Sequence, residues 1–320
     1  ISKRYNMKIA IVAPSPVPFT IGGAELLLSG MQDAINNYTS HQCELIKLTT
    51  KENTFWDLVE SYYKFYQLDL SHFDMIISTK YPSWMVRHRN HIVYMVHPLR
   101  GLYDTYHLCN DDPEVPAQLR TGLVKEILDI TEIRIRKDKN VEDLFQKLFQ
   151  LRSEQDNYTK ELFTFPGPFI RKIIHFLDRW ALSYENIREY FSISENVKRR
   201  QDYFPPSARV KVIYPPSKIE DFECRGFEYL FTASRLDSPK RIDILIEAMK
   251  FVPHNIKLKI AGEGPEKTRL MELAQGDARI EFLGFVTENG LVDLYANALV
   301  ILFVPQDEDY GYITIEGMMS

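Results

Sequence analysis

Leu299-Val300-Ile301-Leu302-Phe303-Val304-Pro305 runs through Gln306-Asp307 into Glu308-Asp309-Tyr310-Gly311-Tyr312-Ile313-Thr314-Ile315-Glu316-Gly317-Met318-Met319-Ser320. The apolar run reads as a buried strand over 299–304, closed by a proline that cannot donate to a sheet. A loop carrying Glu308 and Gly311 follows, and a helix is expected to begin near Ile313. Ligands of open α/β sheets bind at the carboxyl ends of strands, beside helix N-termini whose first amides lack intrahelical partners. Glu308 and Glu316, with seven residues between them, bring two carboxylates to such a turn.

Outward from this stretch, the second half of the chain repeats one unit. Tyr229–Ala233, Ile256–Ala261 and Arg279–Leu283 read as further strands, and 240–251, 266–275 and 287–296 as the helices between them. The first half opens on Lys8-Ile9-Ala10-Ile11-Val12-Ala13, a continuous apolar run typical of a strand covered on both faces. A helix to about Tyr38, a strand at 44–49, a helix at 55–66 and strands at 75–78 and 91–96 follow. Between about 104 and 182 longer helical stretches replace the alternation, which resumes with strands at 190–194 and 210–214. Such alternation indicates doubly wound parallel sheets. Two domains are therefore expected, 1–215 with a helical elaboration at about 104–182, and 216–320, joined near Pro215-Pro216 and facing one another across a cleft.

The bulk composition fits 320 residues in two globular domains, 45% hydrophobic and 26% charged. A net charge of −5 argues against a nucleic-acid partner, whose phosphates need clustered Lys and Arg. Cys43, Cys109 and Cys224 are odd in number and widely spaced, as reduced thiols of a cytoplasmic protein would be. No apolar stretch approaches the roughly 20 residues needed to span a bilayer.

Chemistry-bearing residues gather at the expected strand ends. Arg235 and Lys240, in Ser234-Arg235-Leu236-Asp237-Ser238-Pro239-Lys240-Arg241, flank a helix start, where cations oppose the macrodipole. They suit a diphosphate, Arg235 as a planar fork and Lys240 as a point charge; a solvated basic turn is the alternative. Gly262 and Gly264, in Gly262-Glu263-Gly264-Pro265-Glu266, allow a tight turn near a ligand or merely a connection. Gly284-Phe285-Val286 repeats the pattern after the next strand. In the first half, Gly22-Gly23 opens a helix after a strand, and His97 ends a strand, with His88, His91 and His107 as nearby competitors. Asp307-Glu308-Asp309 looks like a metal motif but reads better as the start of the two-glutamate loop, and the histidines lack zinc spacing.

In this order, Gly22-Gly23, the Arg235…Lys240 pair, Gly262-Glu263-Gly264-Pro265-Glu266, Gly284-Phe285-Val286 and Glu308-x7-Glu316 resemble the retaining glycosyltransferases of family 4, which have the GT-B fold of two Rossmann-like domains. The likeness covers 7–37 and about 190–320. It implies metal-independent transfer of a hexose from a UDP- or GDP-sugar to a carbohydrate, lipid-linked or small-molecule acceptor, with retention and no cofactor. Glu308 would contact the transferred sugar, Glu316 the ribose, and Arg235 and Lys240 the departing diphosphate. The backbone of Gly311, Tyr312, Ile313 and Thr314 would meet the diphosphate, and that of Phe285 and Val286 the base. Gly22 and Gly23 would approach the donor, and His97 its sugar. Tyr310, Tyr312 and Gly317 depart from the commoner Phe, Leu and Ala.

Two rival functions share this groove: a GT-B sugar-nucleotide epimerase and an inactive sugar-nucleotide-binding protein. Pro168–Trp180, apolar with interspersed cations, would dock on a membrane or, preferably, pack on the core. The second domain holds fewer strand–helix units than the family's, so a continuation of roughly 60–100 residues is expected.

Overall fold

Strand β1 (Lys8–Pro16) lies inside the first sheet, and Ile9 through Ala13 are all buried. Its apolar run is uninterrupted because layers cover both of its faces. The computed structural model describes residues 6–16, 23–108, 114–134, 136–217, 219 and 221–320. The chain divides into two units, Ile1–Pro215 and Pro216–Ser320.

In the first unit β1 is followed by α1 (Gly23–Tyr38), β2 (Gln42–Thr50), α2 (Phe55–Gln67), β3 (Met75–Lys80) and β4 (His91–His97). Helices α3 (Gly122–Thr131), α4 (Asp138–Ser153) and α5 (Pro168–Ala181) come next, then β5 (Glu189–Ser192), α6 (Glu195–Arg199) and β6 (Val210–Val212). The six strands pair in parallel in the order β2-β1-β3-β4-β5-β6. A capping box starts α2: the Thr54 hydroxyl accepts from the Asp57 amide at 3.1 Å, and Asp57 accepts from the Thr54 amide at 3.0 Å.

Helix α5 decides between the two readings of Pro168–Trp180. Phe169, Ile170, Ile173, Ile174, Phe176, Leu177 and Trp180 are all buried, so its apolar side is spent on the core of the first unit. Its Asp178 is also buried, and three donors surround the carboxylate. Tyr62 Oη and Trp84 Nε1 donate to Oδ1 at 3.0 and 2.7 Å, and Tyr103 Oη donates to Oδ2 at 2.6 Å. Burial pushes the Asp178 carboxyl up to about 6 despite these bonds. Among the described residues, no helix is long and apolar enough to cross a membrane.

The second unit holds β7 (Tyr229–Ala233), α7 (Ile242–Ala248), β8 (Lys257–Ala261) and α8 (Lys267–Leu273). It continues with β9 (Ile280–Gly284), α9 (Glu288–Ala296), β10 (Ala298–Ile301) and α10 (Tyr312–Met319). The parallel order is β10-β7-β8-β9. One face packs Leu258 and Ile260 against Ile242, Leu245, Ile246 and Leu270 of α7 and α8. The other packs Tyr229 and Phe231 against Tyr295 of α9 and Ile313 of α10.

Several elements end a residue or two from their expected bounds, and two differ in kind. The helix expected over 240–251 is split, because Arg241 takes a left-handed φ of 52° between a 3-10 turn at 238–240 and α7. The strand expected over 299–304 stops at Ile301. Leu302 still donates to Phe231 O at 2.7 Å, but the following residues turn away toward α10.

Candidate functional site

The strand order of the second unit reverses between β7 and β10, since β8 and β9 lie on one side of β7 and β10 on the other. Such a reversal opens a crevice at the carboxyl ends of the flanking strands. The segments leaving these two strands are Ser234–Arg241 and Leu302–Gly311, which contain Arg235, Lys240 and Glu308. The main chain ties them together, with the Gln306 amide donating to Pro239 O at 2.8 Å.

Lys240 Nζ pairs with Glu308 Oε2, both side chains being one-quarter exposed. This ion pair supplies the negative partner that a cation ahead of a helix requires. Arg235 does not join it. Its side chain is 70% exposed and its Nε lies 3.2 Å from Asp237 Oδ2.

Gly262 and Gly264 have an internal reason for their type. A Cβ on Gly262, at φ 128°, would lie 1.8 Å from Ser234 O, and one on Gly264 would lie 2.4 Å from Leu236 O. The loops after β7 and β8 are stitched by Ser234 N to Ala261 O (3.1 Å) and Leu236 N to Glu263 O (2.9 Å). The Gly262 amide donates to Gly284 O at 2.7 Å, so it is used within the protein rather than offered to a ligand. Beyond Gly284, Phe285 is exposed and Val286 half-buried against the core.

Gly311 precedes α10 with φ 77°, and a Cβ there would come within 2.5 Å of the Phe303 ring. Only glycine meets both demands. Behind it, Ile313 is buried and anchors the helix, Tyr312 is half-buried, and Thr314 faces solvent. The early amides of a helix have no i−4 carbonyl within it, so this turn can present N–H groups to an anion. Tyr312 packs edge-on to Tyr310 at 5.2 Å, and its hydroxyl is buried without a hydrogen-bond partner among the described residues. At Gly317 a Cβ would sit 3.1–3.2 Å from Ile301 side-chain atoms, a tight contact where the commoner alanine would need Ile301 to give by a few tenths of an ångström.

Glu316 is on the covered side of α10. Its Oε2 accepts from Tyr295 Oη at 2.8 Å and its Oε1 from Ser217 Oγ at 3.3 Å. Burial raises its carboxyl above the ordinary value, and the two hydroxyls oppose that shift. Sequence reasoning missed Tyr295 and Ser217. A buried tyrosine hydroxyl needs a partner, but its partner here is 21 residues away on another helix.

In the first unit only His97, among the four nearby histidines, stands at the carboxyl end of a strand. Buried His91 begins β4 and bonds Ser78 Oγ at 2.7 Å, His88 contacts Phe73 O and Asn90 O, and His107 is exposed. His97 Nδ1 lies 2.8 Å from Pro98 O, which can only accept, so the proton is on Nδ1 and Nε2 carries the lone pair. Burial, with Lys80 close by, pushes the imidazole down to about 3, keeping it neutral. Gly23 begins α1 at the surface; Gly22 lies outside the described residues.

Two doubly wound parallel sheets, with this tail at the end of the second, are the elements of the GT-B fold. Comparison with known proteins agrees. Residues 228–320 match the model of the family "Glycosyl transferases group 1". The chain is 27% identical over 173 residues to an uncharacterized glycosyltransferase of Methanocaldococcus jannaschii, a match covering 47% of this chain and 44% of that protein. The chain thus matches less than half the length of that relative. Among solved structures, the apo lipopolysaccharide outer core galactosyltransferase WaaB aligns with TM-score 0.56 at 15% identity, over 98% of this chain and 78% of that one. Sucrose-phosphate synthase of Thermosynechococcus elongatus aligns with TM-score 0.57 at 14% identity, over 98% and 79%. Anabaena HepE, solved with UDP and glucose, aligns with TM-score 0.53 at 15% identity, over 98% and 78%.

Proposed function

We propose that this chain is a retaining, metal-independent glycosyltransferase that moves a hexose from a nucleoside-diphosphate sugar to a carbohydrate or lipid-linked acceptor. The observation that carries the reading is the Lys240–Glu308 pair at the reversal of strand order, on the same tail as Glu316. HepE's complex with UDP and glucose supports a UDP-sugar as the first donor to try.

Departure of a nucleoside diphosphate builds negative charge on phosphate and positive character at the anomeric carbon. Lys240, exchanging Glu308 for the diphosphate, and Arg235, swinging from the surface, would neutralise the leaving group, while the first amides of α10 bond its oxygens. Glu308, released from Lys240, would accept from sugar hydroxyls, and Glu316 from the ribose. The neutral Nε2 of His97 suits a further sugar hydroxyl, and the exposed backbone beside Phe285 and Val286 suits the base. Retention follows if the acceptor oxygen bonds the anomeric carbon on the face the diphosphate leaves. The acceptor proton then passes to the departing phosphate, and no enzyme nucleophile is needed.

The test is product analysis with UDP- and GDP-sugars, with and without a panel of saccharide and lipid-linked acceptors. Acceptor-dependent release of nucleotide and a glycosylated product of unchanged anomeric configuration are expected. An isomerised sugar nucleotide would replace this reading with an epimerase, and donor binding without turnover would replace it with a binding protein.

A further inference from the structure

The geometry points to Tyr295 and Ser217 as positioning residues that fix the Glu316 carboxylate so that each of its oxygens faces one hydroxyl of a ribose diol. This rests on the donor-site reading above and adds to it a source of selectivity for ribonucleotides over 2′-deoxyribonucleotides.

An ionised carboxylate has about four acceptor positions, two on each oxygen. Tyr295 takes one on Oε2 at 2.8 Å and Ser217 takes one on Oε1 at 3.3 Å. One acceptor position on each oxygen remains, matching the two donors of a vicinal diol. A carboxylate free to rotate would lose that match, and here neither donor is free to move. Tyr295 is buried, with its ring edge-on to Phe231 at 5.3 Å and to Phe222 at 6.0 Å. Ser217 Oγ accepts from the Ile219 amide at 3.1 Å, which leaves its single proton for Glu316. Three elements thus converge on one side chain: the segment opening the second unit, α9 and α10.

The two hydroxyls also favour the charged carboxylate over the acid. Among the described residues, the titratable groups that face Glu316 are Tyr295 from α9 and Tyr312 from its own helix, and both hydroxyls are raised by burial and so remain neutral. Burial favours the protonated acid at Glu316, and the Tyr295 and Ser217 hydroxyls counter it. Losing either donor would therefore raise the Glu316 value further. A protonated carboxyl keeps its proton on one oxygen and can no longer accept symmetrically from a diol.

The experiment measures affinity for UDP, GDP and ADP and for their 2′-deoxy forms across pH, using the full chain and Tyr295→Phe, Ser217→Ala and Glu316→Gln. The wild-type chain should prefer the ribonucleotide about tenfold, equivalent to ~1.4 kcal/mol. Glu316→Gln should abolish that preference. Tyr295→Phe should reduce it to about twofold and move the acid-side loss of binding to higher pH, with Ser217→Ala acting in the same direction but more weakly, as expected for the longer bond. If no nucleotide binds, or Glu316→Gln keeps the preference, the donor-site reading is overturned and this inference with it. If Glu316→Gln removes the preference while Tyr295→Phe keeps both the wild-type ratio and pH midpoint, the positioning role alone is overturned. Should Tyr295→Phe lose its folded transition, Ser217→Ala decides on the same two readouts.

Discussion

Each unit places a carboxylate among hydrogen-bond donors, and the two settings contrast. Asp178 in the first unit is closed off: three aromatic donors bond its oxygens and almost none of it reaches solvent. Glu308 in the second unit holds Lys240 in a pair left one-quarter open, at strand ends where the sheet order reverses. Glu316 is intermediate, buried but bonded once on each oxygen. A closed polar cluster can do little except hold its elements together, because its three donors are committed to the carboxylate and any loss leaves a buried group unpaired. An open pair can exchange partners. The contrast assigns structure to the first cluster and ligand chemistry to the others, and it can be broken by experiment.

The largest effect is expected from Asp178→Ala, which orphans Tyr62, Trp84 and Tyr103 at once and joins α2 to α5 no longer. Denaturant unfolding should show a loss of about 3–5 kcal/mol. A change below ~1 kcal/mol would mean the cluster is not what holds these elements.

Next is Glu308→Ala, expected to lower turnover about 10²–10³-fold while leaving the unfolding midpoint and nucleoside-diphosphate affinity nearly unchanged. Initial rates and calorimetry check it. Equal loss of nucleotide affinity in Glu308→Ala and Glu316→Ala would erase the division of labour between the two glutamates.

The Asp178 cluster also carries a pH signature. Its folded value of about 6 exceeds the ordinary 3.8, so the folded state holds the proton more tightly than the unfolded chain. The group's contribution to stability therefore falls as pH rises from about 4 to about 6 and is level above that, by roughly 3 kcal/mol in all. In Asp178→Asn this dependence should vanish. The stability difference between the two proteins, followed from pH 4 to 7, should change across that window, and a flat difference would refute the assignment.

Gly262→Ala probes the second unit's own framework. The added methyl meets Ser234 O in a backbone conformation that alanine resists, and a destabilisation of about 2–3 kcal/mol is expected from thermal unfolding. Tolerance of alanine would return Gly262 to a ligand-facing role.

How far the sequence revealed this follows the same divide. The strands of both sheets were legible because buried parallel strands are apolar almost throughout, as in Ile9–Ala13 and, apart from Thr232, in Tyr229–Ala233. The break before α7 was not, since nothing local to Arg241 signals a left-handed residue other than glycine or asparagine. Lys240 and Glu308 were both visible as strand-end residues, although their pairing depends on β7 and β10 being neighbours. The Asp178 cluster was invisible, because its donors are 75 to 116 residues away in the chain. Tyr295 and Ser217 were hidden for the same reason: a carboxylate's partners are set by topology rather than by spacing.

The smallest structural effect should come from Lys240→Met, and it separates the two kinds of cluster most sharply. Methionine keeps the unbranched apolar stem of the side chain and removes the ammonium group at its end. A partly exposed ion pair contributes little to folding, typically under ~1 kcal/mol, because both groups are well solvated when apart. Glu308, one-quarter exposed at the crevice, can rehydrate when Lys240 is lost, which Asp178 cannot do. The unfolding midpoint should therefore barely move, whereas turnover should fall by at least tenfold, since a developing diphosphate charge loses its positive partner where water is displaced by substrate. A Tm that drops as far as in Asp178→Ala would place Lys240 and Glu308 in the same class as the closed cluster and remove the reason to assign them chemistry.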